Sequence, residues 1–275
     1  MAQTAWIPGS GPLEPFITDA TVWWPDDKTG MDTSQYPELY KSSKPTFAAH
    51  PIVCFDCHDP HGPTWNPAQV IEFRLDAAKR VTIATRVEDD TLCLSCHAGH
   101  GQGTLADFSG LTTAQVAANR ENHEAVGTAV SLHTHHPYAP KGEVGVSRCT
   151  GCHMARTQGP DEAQTLHGHT FEVLSPQKTL MFQSDGGMPN SCASSCHGTQ
   201  VDKFGLGVDP NPMSWNDPFD VSLANELLKY YGPNGLWWKV DVGAGARAPQ
   251  PALRRAQNRA GHHGVRHHRS TGTAK

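Results

Sequence analysis

The chain lacks any stretch approaching the ~20 consecutive apolar residues needed to cross a bilayer as a helix. It also lacks a basic start followed by an apolar run, so no secretory leader is visible in Met1-Ala2-Gln3-Thr4. Apolar residues are scarce: 37% of 275 positions, against 26 Gly and 21 Pro. That is a thin supply for an ordinary apolar core. Cysteine outside a motif is absent too, because all 8 cysteines fall into four short, similar stretches.

Three of those stretches read Cys-x-x-Cys-His: Cys54-Cys57-His58, Cys93-Cys96-His97 and Cys149-Cys152-His153. The fourth is one residue longer, Cys192-Ala193-Ser194-Ser195-Cys196-His197. A Cys-x-x-Cys pair alone could be half of a zinc site or a redox dithiol. Neither accounts for a His directly after the second Cys in all four copies. Cys-x-x-Cys-His is the attachment signature of a c-type haem. Two thiols add to the two vinyl groups, and the adjacent imidazole reaches the iron from one face. The expectation is therefore four haem c groups, with His58, His97, His153 and His197 as proximal ligands. The small residues Ala193, Ser194 and Ser195 suit a bulged turn that absorbs the extra position; a disulfide is the alternative there. Four porphyrins would provide the missing apolar surface. The expected fold is mostly irregular loop with short α-helices and one small β-hairpin, wrapped over haem.

The second ligand of each iron decides the chemistry. A His closes the iron and leaves electron transfer; an open position admits a substrate. Outside the motifs and before residue 240 stand nine histidines: 50, 61, 100, 123, 133, 135, 136, 167 and 169. Four would close every iron, so the supply favours bis-His ligation. The candidates are His50, His61, His136 and His169, with His100 and His133 next. No residue is assigned a catalytic role.

Three regions follow from composition. Residues 1–49 form a Pro-rich arm with Trp6, Trp23 and Trp24, aromatic anchors that pack on the protein's own haems or dock on another subunit. Residues 50–239 form the haem-bearing domain. Residues 240–275 carry seven basic side chains against one acid, which leaves the remainder at −11 of a whole-chain −5. That tail has no periodicity and reads as disordered, His-His pairs included. Within the domain, Ile71, Phe73 and Leu75 alternate with polar residues, as do Val81 and Ile83, which predicts a hairpin. Thr112 and Gln115 form a capping box for a helix over 113–126 that Gly127 would stop, with His123 as an exposed helix residue and Arg120 paired to Glu124. A last helix is predicted over 221–231, capped by Asp220 and ended by Gly232-Pro233.

The run His133-Thr134-His135-His136-Pro137, Cys149 to Met154, His169-Thr170-Phe171 and Pro189-Asn190-Ser191-Cys192 resembles the haem-binding half of multihaem cytochromes. That group includes the ammonia-forming cytochrome c nitrite reductases and their tetrahaem and octahaem relatives. The resemblance covers residues 50–197 and implies iron ligation by His136 or His133 and by His169. The nitrite reductases' catalytic haem has Lys in place of the motif His, and this sequence contains no Cys-x-x-Cys-Lys. A compact tetrahaem chain with aromatic arms is also similar to subunits of extracellular cytochrome filaments, in which haems stack and one ligand can come from the next subunit. The expected function is extracytoplasmic electron transfer, periplasmic, surface-bound or extracellular. Redox proteins or extracellular acceptors are the expected partners, together with self-association into a homopolymer; nucleic acid is not. The alternative is a multihaem reductase of a small nitrogen or oxyanion substrate with one open haem.

Overall fold

The computed structural model describes residues 21–32, 34–43, 52–59, 61, 71, 73–76, 81–85, 89–99, 105–136, 138, 147–158, 166–198, 214–232 and 234–236. His50, His100, Trp6, Trp237, Trp238 and the tail from 240 lie outside the described residues.

The hairpin is formed by β1 (Phe73–Asp76) and β2 (Val81–Ala84), antiparallel, with Phe73 opposite Ala84 and Asp76 opposite Val81. A second two-stranded sheet joins β3 (Arg156–Gln158) to β4 (Leu166–His167), with an irregularity between Arg156 and Gln158. The expectation of a single hairpin missed it, because two or three paired residues leave no readable alternation.

The helices are short. In chain order they are α1 (Gln35–Glu38), α2 (Thr91–His97), α3 (Thr113–Ala117), α4 (Glu124–Thr134), α5 (Cys149–His153), α6 (Pro176–Met181) and α7 (Pro218–Leu228). The Thr112/Gln115 capping box starts α3. The single helix expected over 113–126 is instead two. Asn119 turns its amide to the Asp89 carbonyl at 2.8 Å, and Arg120 pairs with the Asp89 carboxylate at 3.0 Å, not with Glu124. Those tertiary bonds win over continuation of a helix whose next residues, Asn119 to Asn122, propagate it weakly. Gly127 lies inside α4 rather than stopping a helix, and His123 stands at its N-cap. The last helix starts three residues earlier than expected. Asp217, not Asp220, caps it, accepting hydrogen bonds from the Phe219 and Asp220 N–H groups at 2.8 and 3.1 Å. Pro218 at the first helical position sets that start.

Side-chain packing supplies two small clusters. Ile83, Leu94, Ala98, Phe108, Leu111, Val116, Val126 and Val130 form one. Ala193, Trp215, Leu223 and Leu227 form the other, flanked by Trp24 and Phe219. Between them the chain relies on buried polar groups. The described part of the N-terminal segment is fixed to the body this way. Trp24 donates its indole N–H to the Thr157 carbonyl at 3.2 Å, and Lys178 reaches Asp26 at 2.8 Å. Glu38 is fully buried and accepts from the backbone N–H of Gly30 at 2.8 Å and of His169 at 2.5 Å.

Glu38 thus clamps the loop that carries His169. Glu38→Ala strands two buried donors and is expected to lower the unfolding free energy by ~2–3 kcal/mol, with Glu38→Gln costing less. Urea unfolding followed by far-ultraviolet circular dichroism measures it. Equal midpoints for Glu38→Ala and the parent chain would show that the clamp carries no such load.

Candidate functional site

The cysteine motifs are helical turns. In α2, Cys93, Cys96 and His97 stand at i, i+3 and i+4, so they share one face, while Leu94 and Ala98 turn into the first apolar cluster. In α5, Cys149, Cys152 and His153 repeat that relation. The first motif is a tighter 3-10 turn over Cys54–Asp56, where the His58 N–H still reaches the Cys54 carbonyl at 2.8 Å. The fourth is a π turn, Ala193–His197, in which the Gly198 N–H bonds the Ala193 carbonyl at 2.8 Å. A π turn takes one residue more than an α turn. It absorbs the extra serine and returns Cys192, Cys196 and His197 to one side. The Ser194 and Ser195 hydroxyls are buried with no hydrogen-bond partner, so neither holds the turn.

No disulfide joins any of the eight cysteines. Among the described residues no three or more His, Cys, Asp or Glu side chains converge as a metal cage. What the fold assembles instead is imidazoles in facing pairs. His58 and His169 lie 6.2 Å apart between ring centroids, His153 and His133 6.3 Å, and His197 and His136 6.4 Å. Two imidazoles binding one metal ion from opposite sides, each nitrogen ~2.0 Å from it and each ring centre ~1.1 Å further back, would stand about 6.2 Å apart. Three motif histidines therefore each have a non-motif histidine at that separation, with interplanar angles of 32°, 17° and 53°.

The tautomers suit the same role. His136 turns Nδ1 to the Thr134 carbonyl at 2.6 Å, His153 to the Phe171 carbonyl at 3.0 Å and His169 to the His167 carbonyl at 3.1 Å. A carbonyl only accepts, so each Nδ1 carries the hydrogen, and in the neutral ring Nε2 is the nitrogen with the free lone pair. Burial pushes His169 down to about 4, with His58 and His167 adding to the shift against the His167 hydrogen bond. Burial lowers His153 as well. Both rings are neutral near pH 7, the form that binds a metal.

Backbone strain aims these rings. His135, at the end of α4, has φ 53°, a left-handed conformation rare outside glycine. It reverses the chain between His133 and His136 and sends them to different motif histidines. Phe171 has φ 55° and offers its carbonyl to His153.

The motifs also touch one another. The Cys93 thiol hydrogen-bonds the Cys149 thiol, and that contact, with burial, pushes Cys149 well above its ordinary value. Burial and the nearby Cys196 raise Cys152 to about 11; burial, Cys152 and Cys196 raise Cys192 to about 12. Asp90, buried ahead of α2, accepts the Cys149 N–H at 3.0 Å, and burial raises its carboxyl to about 6 despite that bond. Ser191 donates to the Cys152 carbonyl at 2.7 Å and accepts the Leu174 N–H at 3.0 Å. Asn190 accepts the Ala193 N–H at 2.9 Å and so caps the fourth turn.

Of the sequence candidates, the fold brings His133, His136 and His169 opposite motif histidines. His61 is exposed, its N–H on the Asp59 carboxylate at 2.9 Å, and it is in none of the three pairs. His97 lies near enough to His153 to lower its basicity. His50 and His100 fall outside the described residues. Asp89 and Asp90 were not anticipated; adjacent acids immediately before a Cys-x-x-Cys-His turn were the available signal. No family model, no curated protein and no solved structure matches the chain. No helix among the described residues is long and apolar enough to cross a membrane.

Ser191→Ala leaves the Leu174 N–H and the Cys152 carbonyl without their partner while removing one buried hydroxyl. A loss of ~1–3 kcal/mol is expected in the same urea experiment. An unchanged midpoint would show that the two motifs are not held together through this residue.

Proposed function

We propose that this chain is a tetrahaem c-type cytochrome that relays electrons outside the cytoplasm and has no catalytic residue of its own. The observation that carries the reading is the set of three facing imidazole pairs, each built on a motif histidine, at 6.2 to 6.4 Å. The donor set fits the group: paired thiols one helical turn apart, an imidazole directly after them and, in three of four, a second imidazole within 6.4 Å of it. Cys54 and Cys57, Cys93 and Cys96, Cys149 and Cys152, and Cys192 and Cys196 would hold four haems as thioethers. His58 with His169, His153 with His133, and His197 with His136 would supply imidazoles to three of the irons; His97 would supply one at the second site, with His50, His61 and His100 as candidates for its partner. When bound, each haem supplies a one-electron Fe(III)/Fe(II) couple.

The protein's own part is to hold imidazoles on both sides, so that neither substrate nor water has a position to occupy. Rings fixed by backbone carbonyls change place little between oxidation states. Cys149 lies against Cys93, and Cys196 is near Cys152, so successive motifs are adjacent. Covalent attachment suits a protein working where a lost cofactor cannot be recovered. Redox proteins or extracellular acceptors would be the partners, and self-association into a filament belongs to the same reading. Negative-stain images of native material separate a polymer from a shuttle.

A pyridine haemochrome assay is expected to give four haems per chain, and electron paramagnetic resonance to give only low-spin signals, unchanged by cyanide. Colourless protein would end the reading; one high-spin, cyanide-binding site in the unmodified chain would favour a reductase. His169→Ala is expected to convert one site to high spin and leave three low-spin. Four low-spin sites in that variant would remove His169 from the ligand set. Deletion of Ser194 restores a strict Cys-x-x-Cys-His and is expected to keep four haems, with the turn relaxing to α. Loss of the fourth haem would show that the longer spacing is required.

A further inference from the structure

His133 differs from the other imidazoles whose Nδ1 partner is described above. His136, His153 and His169 each use a backbone carbonyl. His133 instead places Nδ1 2.6 Å from Oδ2 of Asp107. Asp107 sits in a 3-10 turn, Ala106–Phe108, whose Phe108 ring is anchored in the first apolar cluster and lies 5.1 Å from the His133 ring. The carboxylate is thus held by a packed turn rather than by a loose surface loop, although its own side chain is 59% exposed. A carboxylate accepts the Nδ1 hydrogen more strongly than a neutral carbonyl does, and so makes Nε2 the better electron donor. A stronger donor to iron favours Fe(III) over Fe(II), and outer hydrogen bonds of this kind are among the levers that set haem potentials.

We propose that Asp107 is a positioning and potential-setting residue for the third site, holding the His153–His133 couple at a more negative potential than a carbonyl partner would. This rests on the tetrahaem reading above. The third site lies between its neighbours: Cys149 touches Cys93 of the second motif, and Cys152 stands beside Cys196 of the fourth. A lowered potential there makes this site harder to reduce than it would be with a carbonyl partner.

The test is a spectroelectrochemical titration of the full, haem-loaded chain, comparing the parent with Asp107→Asn and Asp107→Ala. Asp185→Asn removes a different exposed carboxylate and controls for net charge. Asp107→Asn is expected to move one of the four components positive, by about three- to tenfold in its reduction equilibrium, where tenfold is 59 mV for a one-electron couple. Asp107→Ala should move the same component, and Asp185→Asn none. All three variants should keep the parent's four low-spin haems, since Asp107 is exposed and its loss opens no cavity. Four unchanged components in both Asp107 variants, or a uniform shift equal to that of Asp185→Asn, would overturn the assignment while leaving the cytochrome reading intact. A parent chain without four low-spin haems would overturn both.

Discussion

Three motif histidines, each held near a second imidazole, form the arrangement on which the proposed function rests. Such a pair is unfavourable for the polypeptide alone: the rings are partly desolvated and do not touch. The fold maintains three of them by means that act at a distance from the rings. Backbone carbonyls fix the tautomers of His136, His153 and His169, and left-handed residues at His135 and Phe171 supply the reversals that ordinary helix and strand geometry lacks. Strain of that kind, of order 1–3 kcal/mol per residue, persists where surrounding structure over-determines it, and it gathers at functional sites.

The second feature is how little apolar core the chain uses. Two small clusters anchor the back faces of the motif turns, Leu94 and Ala98 behind the second and Ala193 behind the fourth. Around them the described chain is joined by buried polar groups: Glu38, Asp89, Asp90, Asn119, Asn190 and Ser191. A buried carboxylate is costly unless its lone pairs are used. Glu38 accepts two backbone N–H groups, and Asp89 accepts Arg120 and the Thr91 hydroxyl. These bonds orient elements that apolar contact alone would leave free to slide. Under the tetrahaem reading, porphyrin faces would supply bulk where the polar clamps supply register.

What could be read from the sequence was what is local. Cys-x-x-Cys-His needs only a helical turn, so its four copies announce themselves without reference to the rest of the chain. Alternation around Phe73 and Ile83 and the Thr112/Gln115 box are local in the same sense. Helix boundaries fared worse where a distant partner intervened: Asp89 draws Asn119 and Arg120 away from helix continuation, and no spacing rule reports a residue 30 positions upstream. The start of α7 was legible but misread, since Pro218 directly after Asp217 is a stronger boundary signal than Asp220. Pairing of His133 with His153, or His169 with His58, is a fact about three dimensions. Sequence could supply the candidates but not the matches.

The connections converge on the third motif. Its first cysteine receives Asp90 and touches Cys93 of the second. Its second cysteine offers a carbonyl to Ser191, which leads into the fourth. Its histidine takes the Phe171 carbonyl from the segment whose His169 faces His58 of the first. A five-residue helix, Cys149–His153, is therefore the junction at which all four motifs are held in relation to one another. In a relay, the geometry that fixes distances between sites also fixes the rates between them. A displacement of this helix would alter every transfer together, whereas a change at an outer motif would alter one.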